Sequence, residues 1–255
     1  MNFHSFLLVD AGNTRVKWTR CDLDAPASVQ LNVKGEKATA DVTPHFIRKM
    51  RKDFAGHYLV LSSVVPKLTA DFSLTFKRGF HVLNGGSPHL GFAFDYPKPA
   101  EIGADRLAGA AAIHASGKWP AIIVSCGTAT AFSVLDARGR FCGGAIAPGL
   151  QTQLAALLGA TAQLPEVALK PPKSALAKST PEAIRAGVAF NFAGGAREII
   201  RQLTATLPGW KKPKLFLTGG NAPFLANSLG LAHTLRPLLV FEGLRIIGTR
   251  AIRTL

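Results

Sequence analysis

Short apolar segments alternate with polar, glycine-containing turns along the chain, and this pattern predicts strands and helices separated by tight connections. The segments that fit strands are 6–9, 16–21, 57–63, 80–83, 121–124, 132–135, 141–146 and 215–218. The segments that fit helices are 101–116, 149–158, 180–207 with a break near Gly194-Gly195, and 241–252. A strand, a glycine turn and a second strand occur once in each half, so the pattern predicts a repeated α/β design with halves 1–117 and 118–255.

Composition allows a large buried core and gives no sign of a membrane protein. Hydrophobic residues make up 47% of the 255 residues and charged residues 18%. No apolar run approaches the roughly 18 residues that cross a bilayer. The three cysteines fit no zinc-binding spacing, so we expect reduced thiols and a cytoplasmic location.

Net charge is the most unusual global property of the sequence. Thirty Lys and Arg against fifteen Asp and Glu give a formal charge of +15. Such an excess attracts anions, including nucleotides and nucleic acids. The charge is dispersed, however, and no aromatic-plus-basic stripe accompanies it. We therefore interpret it mainly as a solvated surface and do not expect nucleic acid as a partner.

Three glycine turns follow predicted strands, where ligands gather in α/β sheets. They are Gly12-Asn13-Thr14, Gly127-Thr128 and Gly219-Gly220-Asn221. Glycine lets a phosphate approach the backbone closely, so that N–H groups point at its oxygens. A single turn of this kind is usually a plain hairpin, but two in matching positions and a third after another strand favour a nucleotide site.

Two charged residues near the first turn suit the same chemistry. Asp10 offers the hard oxygen ligands that Mg²⁺ prefers, and Lys17 could neutralise phosphate as a point charge. No Walker pattern occurs, and no G-x-G-x-x-G follows a strand and opens a helix. The sequence therefore disfavours both a P-loop enzyme and a Rossmann dehydrogenase.

A fourth element, Gly103-Ala104-Asp105-Arg106, lies at the start of an Ala-rich helical segment. Asp105 could accept the proton of a substrate hydroxyl during phosphoryl transfer, and Arg106 could bind a substrate carboxylate in a bidentate contact. The simpler alternative is an acid favoured by the first helical turn followed by a solvent-facing Arg.

Taken in order, these motifs resemble the type III pantothenate kinase family over about residues 5 to 250. The segments that carry the resemblance are Asp10 to Lys17, Tyr96, Gly103 to Arg106, Gly127 to Thr130, Gly143 to Gly149 and Ser179-Thr180. The resemblance implies two actin-like halves of the hexokinase, acetate kinase and Hsp70 superfamily (ribonuclease H-like), with ATP between them. It implies phosphorylation of the 4′-hydroxyl of pantothenate with ATP and Mg²⁺, the first step of coenzyme A biosynthesis. It also implies a homodimer with substrate near the subunit interface.

Residue roles follow from the same resemblance. Asp105 matches the catalytic base, and Asp10 matches the acid associated with magnesium. The positions that match ATP contacts are Asp10, Ala11, Gly12, Asn13, Thr14, Arg15, Val16, Lys17, Thr128, Gly219, Gly220 and Asn221. The positions that match pantothenate contacts are Tyr96, Gly103, Ala104, Asp105, Arg106 and Thr180. Thr180 also suits a helix N-cap, and Tyr96 alone could be a packed aromatic beside Pro97.

The sequence departs from the family pattern at two acidic positions. The family commonly has an Asp at Ser125, where it helps to bind a monovalent cation such as K⁺ or NH₄⁺, and a second Asp is replaced by Ser133. Serine brings no negative charge, so the metal site at Ser125 could be lost or its role taken by a nearby Lys or Arg.

Two other functions compete with pantothenate phosphorylation. One is a different small-molecule kinase on the same fold. The other is a nucleotide- or nucleic-acid-binding accessory factor without kinase activity, which the +15 charge leaves open.

Overall fold

The computed structural model describes residues 3–23, 31–206 and 212–254. The chain forms two compact units, of which the first contains Met1–Lys118, Gly139–Phe141 and Leu238–Leu255, and the second contains Trp119–Arg138 and Cys142–Pro237. The functional halves 1–117 and 118–255 stay a prediction. The first compact unit differs from the predicted half 1–117, because it also includes Gly139–Phe141 and the C-terminal segment Leu238–Leu255.

The first unit contains a five-stranded mixed sheet. Its strands are β1 (Ser5–Ala11), β2 (Arg15–Asp22), β3 (Gly35–Ala38), β4 (His57–Ser63) and β5 (Phe80–Val82), in the order β3-β2-β1-β4-β5. β1 pairs antiparallel with β2 and parallel with β4, and β4 pairs parallel with β5. The central strand β1 is almost wholly buried, which explains its continuous apolar sequence.

The second unit repeats this design. Its strands are β6 (Ala121–Cys126), β7 (Ala129–Leu135), β8 (Phe141–Pro148), β9 (Lys214–Thr218) and β10 (Thr234–Leu235). Read from the other edge, the order β8-β7-β6-β9-β10 matches that of the first sheet. β6 pairs antiparallel with β7 and parallel with β9, as β1 does with β2 and β4. The α/β fold class and the repeat predicted from the two glycine turns are confirmed.

Seven α-helices are present in the described residues. They are α1 (Pro44–Asp53), α2 (Pro66–Thr75), α3 (Ala104–Ala115), α4 (Leu150–Gly159), α5 (Thr180–Thr206), α6 (Ala222–Leu229) and α7 (Leu239–Ile252). α3 is shorter than its predicted segment, because 99–101 forms a separate 3-10 turn. The expected break in α5 is wrong, since the helix continues through Gly194 and Gly195. Thr180 is the first helical residue rather than the N-cap, and the predicted end at 207 lies outside the described residues.

Apolar side chains on the sheets and helices form the core of each unit. In the first, β1 and β4 pack against α1 and α2 through residues such as Leu7, Leu59 and Phe72. In the second, β6, β7 and β9 pack against α4, α5 and α6 through residues such as Phe132, Phe192 and Leu225. Both cores hold the ends of the central strands in place, and the predicted turns follow those ends.

Two further expectations concern membrane spans and cysteines. None of the described helices combines the length and apolar character that a membrane span requires. Cys21, Cys126 and Cys142 form no disulfide with one another, in agreement with the predicted reduced thiols.

Candidate active site

The first glycine turn follows β1 and is held by residues on both sides. The backbone N–H of Gly12 donates to the carbonyl of Arg15 at 3.0 Å, which closes the turn into β2. Thr39 contacts the turn twice: its hydroxyl donates to the Gly12 carbonyl at 2.7 Å, and its N–H donates to the Thr14 carbonyl at 3.0 Å. A Cβ on Gly12 would lie 3.2 Å from the Arg15 oxygen, so the turn has little room for a side chain.

Asp10 lies at the end of β1, directly before this turn. Its neighbour across the parallel pair is Ser62 on β4, whose hydroxyl donates to Asp10 Oδ1 at 3.0 Å. Its neighbour across the antiparallel pair is Lys17 on β2. Pairing register therefore places the predicted magnesium-associated acid between a hydroxyl donor and a cation.

Asp105 lies in the first turn of α3 and is only partly exposed. Its Oδ1 accepts a hydrogen bond from the backbone N–H of Arg106 at 2.9 Å. A Cβ on Gly103 would lie 2.7 Å from this same oxygen, which is closer than real Cβ contacts come. Glycine at position 103 thus leaves the space that the Asp105 carboxylate occupies.

The two carboxyl groups lie close enough to influence each other. Burial, followed by the negative charge of Asp105, raises the pKa of Asp10 to about 7, although the Ser62 hydrogen bond and Lys17 act in the opposite direction. Burial also raises the pKa of Asp105, against the effects of the Arg106 backbone N–H and the Arg106 charge. Paired, buried carboxyl groups of this kind are typical of sites that handle protons or bind cations.

Arg106 and Tyr96 both contact Phe141, which begins β8 but belongs to the first unit. The Arg106 guanidinium carbon lies 5.6 Å from the centre of the Phe141 ring, and the Tyr96 ring packs edge-on against Phe141 with 6.3 Å between centroids. Phe141 is fully buried and pairs through its backbone with Ala93 and Asp95. Burial lowers the pKa of Arg106, while the nearby Asp105 favours its charged form. Two of the predicted pantothenate contacts are thus brought together around Phe141.

The second glycine turn joins β6 to β7 in the second unit. Its Thr128 carbonyl accepts two hydrogen bonds, from the N–H of Gly149 at 2.9 Å and from the hydroxyl of Thr152 at 2.6 Å. Gly149 is the residue before α4, and a Cβ there would lie 2.2 Å from the Gly127 oxygen. The start of α4 therefore packs directly against this turn.

The third turn follows β9 and contacts the second. The N–H of Asn221 donates to the Cys126 carbonyl at 3.0 Å, and its side-chain amide donates to Gln151 Oε1 at 2.6 Å. Gly219 has φ +91°, and a Cβ on it would lie 2.5 Å from the Cys126 oxygen. Three of the predicted ATP positions of this unit, Thr128, Gly219 and Asn221, are thus brought together at one edge of the sheet.

Ser125 occupies the position in the second unit that Asp10 occupies in the first. Each lies two residues before its glycine turn, and Thr218 on β9 neighbours Ser125 as Ser62 on β4 neighbours Asp10. Across the antiparallel pair, however, Ser125 faces Ala131 where Asp10 faces Lys17. Ser133, the other departure, is buried on β7. The repeat therefore keeps its backbone but carries no charge at these positions of the second sheet.

Thr180, a predicted pantothenate contact, is exposed at the start of α5 in the second unit, and its role in binding stays a prediction. Several residues that contact predicted site residues are not indicated by the sequence, among them Thr39, Ser62, Phe141, Gln151 and Thr152. For Ser62 a signal existed, since it is a polar residue near the end of a buried strand predicted to lie in the same half as β1. Gln151 and Thr152 follow the motif 143–149, but only the folded chain brings them to the turns.

Comparison with known proteins gives one consistent family. The family model of type III pantothenate kinase matches residues 6–202. The type III pantothenate kinase of Methylacidiphilum infernorum is 36% identical over 215 residues, covering 84% of this chain and 79% of that protein. The Rhodospirillum rubrum enzyme of the same name is 31% identical over 255 residues, covering 96% and 98%.

Solved structures support the fold. A Campylobacter jejuni protein described as a Baf family transcriptional activator aligns with a TM-score of 0.62 at 20% identity, covering 98% of this chain and 100% of that one. The ethanolamine utilization protein EutJ of Carboxydothermus hydrogenoformans aligns with a TM-score of 0.52 at 12% identity, covering 95% and 89%. At these identities the likeness concerns the fold alone.

Proposed function

Because this chain belongs to the type III pantothenate kinase family, it phosphorylates pantothenate with ATP in coenzyme A biosynthesis, and we propose that Asp105 is the base of that reaction. One observation supports this role above all others. Asp105 is a partly buried carboxylate with a raised pKa, next to Arg106 and close enough to Asp10 to raise the pKa of that group as well. A proton acceptor, a cationic anchor and a second acid are thus present in one unit.

The proposed chemistry is a transfer of the terminal phosphoryl group to an alcohol. The oxygen of the 4′-hydroxyl forms the new bond to the γ-phosphorus, and the bond from that phosphorus to the β,γ-bridging oxygen breaks. ADP leaves with the electron pair, and the hydroxyl proton goes to Asp105. Burial makes Asp105 a better proton acceptor than an exposed carboxylate, because a raised pKa means a stronger base.

Arg106 and Tyr96 are proposed to position pantothenate. A guanidinium binds a carboxylate through two parallel hydrogen bonds, and pantothenate carries one carboxylate. Packing against Phe141 restricts Arg106 and Tyr96, so both side chains are already ordered before substrate binds. Gly103, Ala104 and Thr180 complete the proposed substrate contacts.

The glycine turns are proposed to bind ATP. The residues assigned to this role are Asp10 to Lys17 in the first unit and Thr128 and Gly219 to Asn221 in the second. The turns offer backbone N–H groups next to residues without bulky side chains, which suits phosphate oxygens. Lys17 adds one positive charge beside Asp10.

Asp10 is proposed to hold Mg²⁺, directly or through water. The residues fit this ion, because a buried carboxylate oxygen is a hard ligand and a nearby second carboxylate adds negative charge. When bound with ATP, Mg²⁺ supplies positive charge that neutralises the phosphate oxygens. It would also favour the ionised form of both Asp10 and Asp105.

A monovalent cation fits the second unit poorly. Ser125 and its neighbour Thr218 offer hydroxyl oxygens but no carboxylate. The second unit contains four acidic residues in its sequence, Asp136, Glu166, Glu182 and Glu198, none on β6, β9 or the turns after them. Asp136 follows β7 at the end of the sheet opposite to Ser125, and its Oδ1 accepts the N–H of Arg138. We therefore propose that K⁺ or NH₄⁺ has no charged ligand here.

The enzyme is proposed to be a cytoplasmic homodimer. Support comes from α5, where Phe190 is 47% exposed and Gly187 and Gly194, one turn to either side, have open space above them. An exposed aromatic flanked by glycines suits close helix packing against a second copy. Light scattering after gel filtration should give twice the 27.0 kDa chain mass. Phe190→Arg should give the monomer mass, whereas a monomeric parent chain would contradict the proposal.

A coupled assay of ADP release tests the function. The chain, Mg²⁺ and ATP are combined with pantothenate, acetate or a sugar in parallel, and the phosphorylated product is identified by mass. We expect ADP release in the reaction that contains pantothenate and none in the reactions that contain acetate or a sugar. Release with another acceptor at an equal rate would favour a different kinase of the same fold.

A further inference from the structure

The first and the second glycine turns each accept a hydrogen bond from a threonine hydroxyl. In each case the threonine lies outside the strand–turn–strand segment. In the first unit, Thr39 Oγ1 donates to the carbonyl of Gly12 at 2.7 Å. In the second unit, Thr152 Oγ1 donates to the carbonyl of Thr128 at 2.6 Å. Thr39 lies 27 residues after its partner and Thr152 lies 24 residues after its partner. The contact therefore recurs in both copies of the repeat.

A backbone N–H accompanies each hydroxyl. The N–H of Thr39 donates to the Thr14 carbonyl at 3.0 Å, and the N–H of Gly149 donates to the Thr128 carbonyl at 2.9 Å. The carbonyls of Gly12 and Thr14 in the first turn, and of Thr128 in the second, thus accept hydrogen bonds from residues outside the turn. In the second unit Gln151 adds a contact to Asn221 at 2.6 Å, so that α4 touches both of the turns there.

Fixing these carbonyls also fixes the N–H groups of the turns. In a trans peptide the C=O and N–H point in opposite directions. A carbonyl bonded to Thr39 or Thr152 therefore turns the N–H of the next residue, Asn13 or Ala129, away from that threonine. Asn13 and Ala129 are exposed, and an N–H donor is what a phosphate oxygen requires.

We infer that Thr39 and Thr152 are positioning residues for nucleotide binding, each holding one glycine turn with its N–H groups available to phosphate. This inference rests on the proposed assignment of the two turns to ATP. Neither threonine is expected to touch pantothenate or the reacting atoms. Their loss should therefore affect ATP more than the alcohol substrate.

The test replaces each threonine by valine, which keeps its shape and removes the hydroxyl. Losing one neutral hydrogen bond should raise the KM for ATP about five- to ten-fold in either variant. The KM for pantothenate should stay within about two-fold, and Thr39→Ser and Thr152→Ser should restore the KM for ATP to within about two-fold. Matched controls are Thr69→Val and Thr161→Val, whose hydroxyls donate to helix carbonyls of Val65 and Leu157. Both controls should leave the KM for ATP unchanged.

Several results would overturn the inference. One is an unchanged KM for ATP in both valine variants. Another is an equal rise in the KM for ATP and for pantothenate together with a lowered melting temperature, which would indicate a structural role. Gly12→Val and Gly127→Val test separately whether the two turns bind ATP at all. If these variants raise the KM for ATP while the threonine variants do not, only the positioning role is wrong. If none of the four does so, the assignment of the turns to ATP is wrong as well.

Discussion

Asp10 and Asp105 both have a raised pKa, but their hydrogen-bond and charge partners differ, and these partners suit the two carboxyl groups to different proposed roles. Both are disfavoured as anions by burial, and each is partly compensated by donors or cations next to it. Asp10 accepts from Ser62 and faces Lys17, which suits a cation ligand. Asp105 accepts from a backbone N–H and lies beside the proposed carboxylate anchor Arg106, which suits a base near the substrate alcohol.

The raised pKa of Asp10 predicts a pH-dependent effect on stability. Because its pKa rises from 3.8 to about 7, the folded chain binds this proton more tightly than the unfolded chain. The contribution of Asp10 to stability is therefore most favourable below about pH 4 and is lost as the pH rises to about 7. Asp10→Asn has no ionisable group at this position, so its stability should not fall in this way as the pH rises. The asparagine also keeps a side-chain oxygen that can accept the hydrogen bond from Ser62. Without nucleotide, the variant should gain up to about 4 kcal/mol in free energy of unfolding at about pH 8 and little at about pH 4.

Urea unfolding at the two pH values measures this difference. Asp53→Asn is a suitable control, because Asp53 is exposed and its ion pair with Lys49 should contribute no more than about 0.5 kcal/mol. An equal effect of Asp10→Asn at both pH values would contradict the account of its environment. The same variant should lose most of its turnover despite its added stability, as expected for a strained functional position.

The proposed reactive residues could be identified in the sequence, whereas most of their partners could not. Asp10 and Asp105 could be selected because each belongs to a local motif beside a predicted strand or helix. Ser62 could not be assigned to Asp10, because the contact depends on parallel pairing across 52 residues. Phe141 was predicted only as part of a strand, since nothing local indicates that Tyr96 and Arg106 pack against it.

At the scale of elements, the position of Asp105 depends on how α3 packs against α7. A Cβ on Gly243 of α7 would lie 1.9 Å from the backbone oxygen of Ala108, three residues after Asp105 on α3. The contact is with backbone atoms, so no side-chain rotation could relieve it. Glycine at this position thus permits the close approach of the two helices and contributes to the placement of the proposed base.

Gly243→Ala should therefore destabilise the chain and impair catalysis together. Overpacking of this kind should cost about 1–3 kcal/mol, equivalent to a fall in melting temperature of about 2–12 °C. Calorimetry and the ADP-release assay measure the two effects. Gly195→Ala is the control, because Gly195 lies within α5 with open space around it and alanine there should gain up to about 1 kcal/mol. Equal stability of Gly243→Ala and the parent chain would contradict this description of the α3–α7 contact.

The predicted break in α5 shows where element prediction failed. Gly194 and Gly195 lower the helix propensity of this segment, and no local feature of the sequence indicates an interaction that would offset this. In the folded chain, Ala193, Ala196 and Ile200 are buried in the core of the second unit, and this packing maintains the helix through the glycines. α1 and α2 were not predicted from the sequence; few of their residues are buried, and α1 is dominated by charged side chains.

On the scale of the whole molecule, the repeat is symmetric in backbone and asymmetric in charge. Both sheets have the same strand order, and their central strands β1 and β6 pair with their neighbours in the same directions. The first carries Asp10, Ser62 and Lys17 at its central turn, whereas the second carries Ser125, Thr218 and Ala131 at the corresponding positions. The architecture could be predicted from the recurring glycine turns. The difference in charge between the copies at these positions depends on only a few side chains.

This asymmetry predicts independence from monovalent cations. Activity with K⁺, with NH₄⁺ and with a bulky organic cation at equal ionic strength should agree within about two-fold. Ser125→Asp is the informative variant, because it introduces the missing carboxylate and should create a preference for K⁺. Strong activation of the parent chain by K⁺ would contradict the proposal that the second unit lacks a charged ligand for it.

In the proposed reaction, Asp105 takes the proton of the pantothenate hydroxyl. Its most direct test is the rate of pantothenate-dependent ADP release by Asp105→Asn, which keeps the shape of the side chain and removes the basic oxygen. We expect turnover to fall about 100-fold or more while the fold is retained and ATP still binds. Turnover equal to that of the parent chain would contradict the assignment.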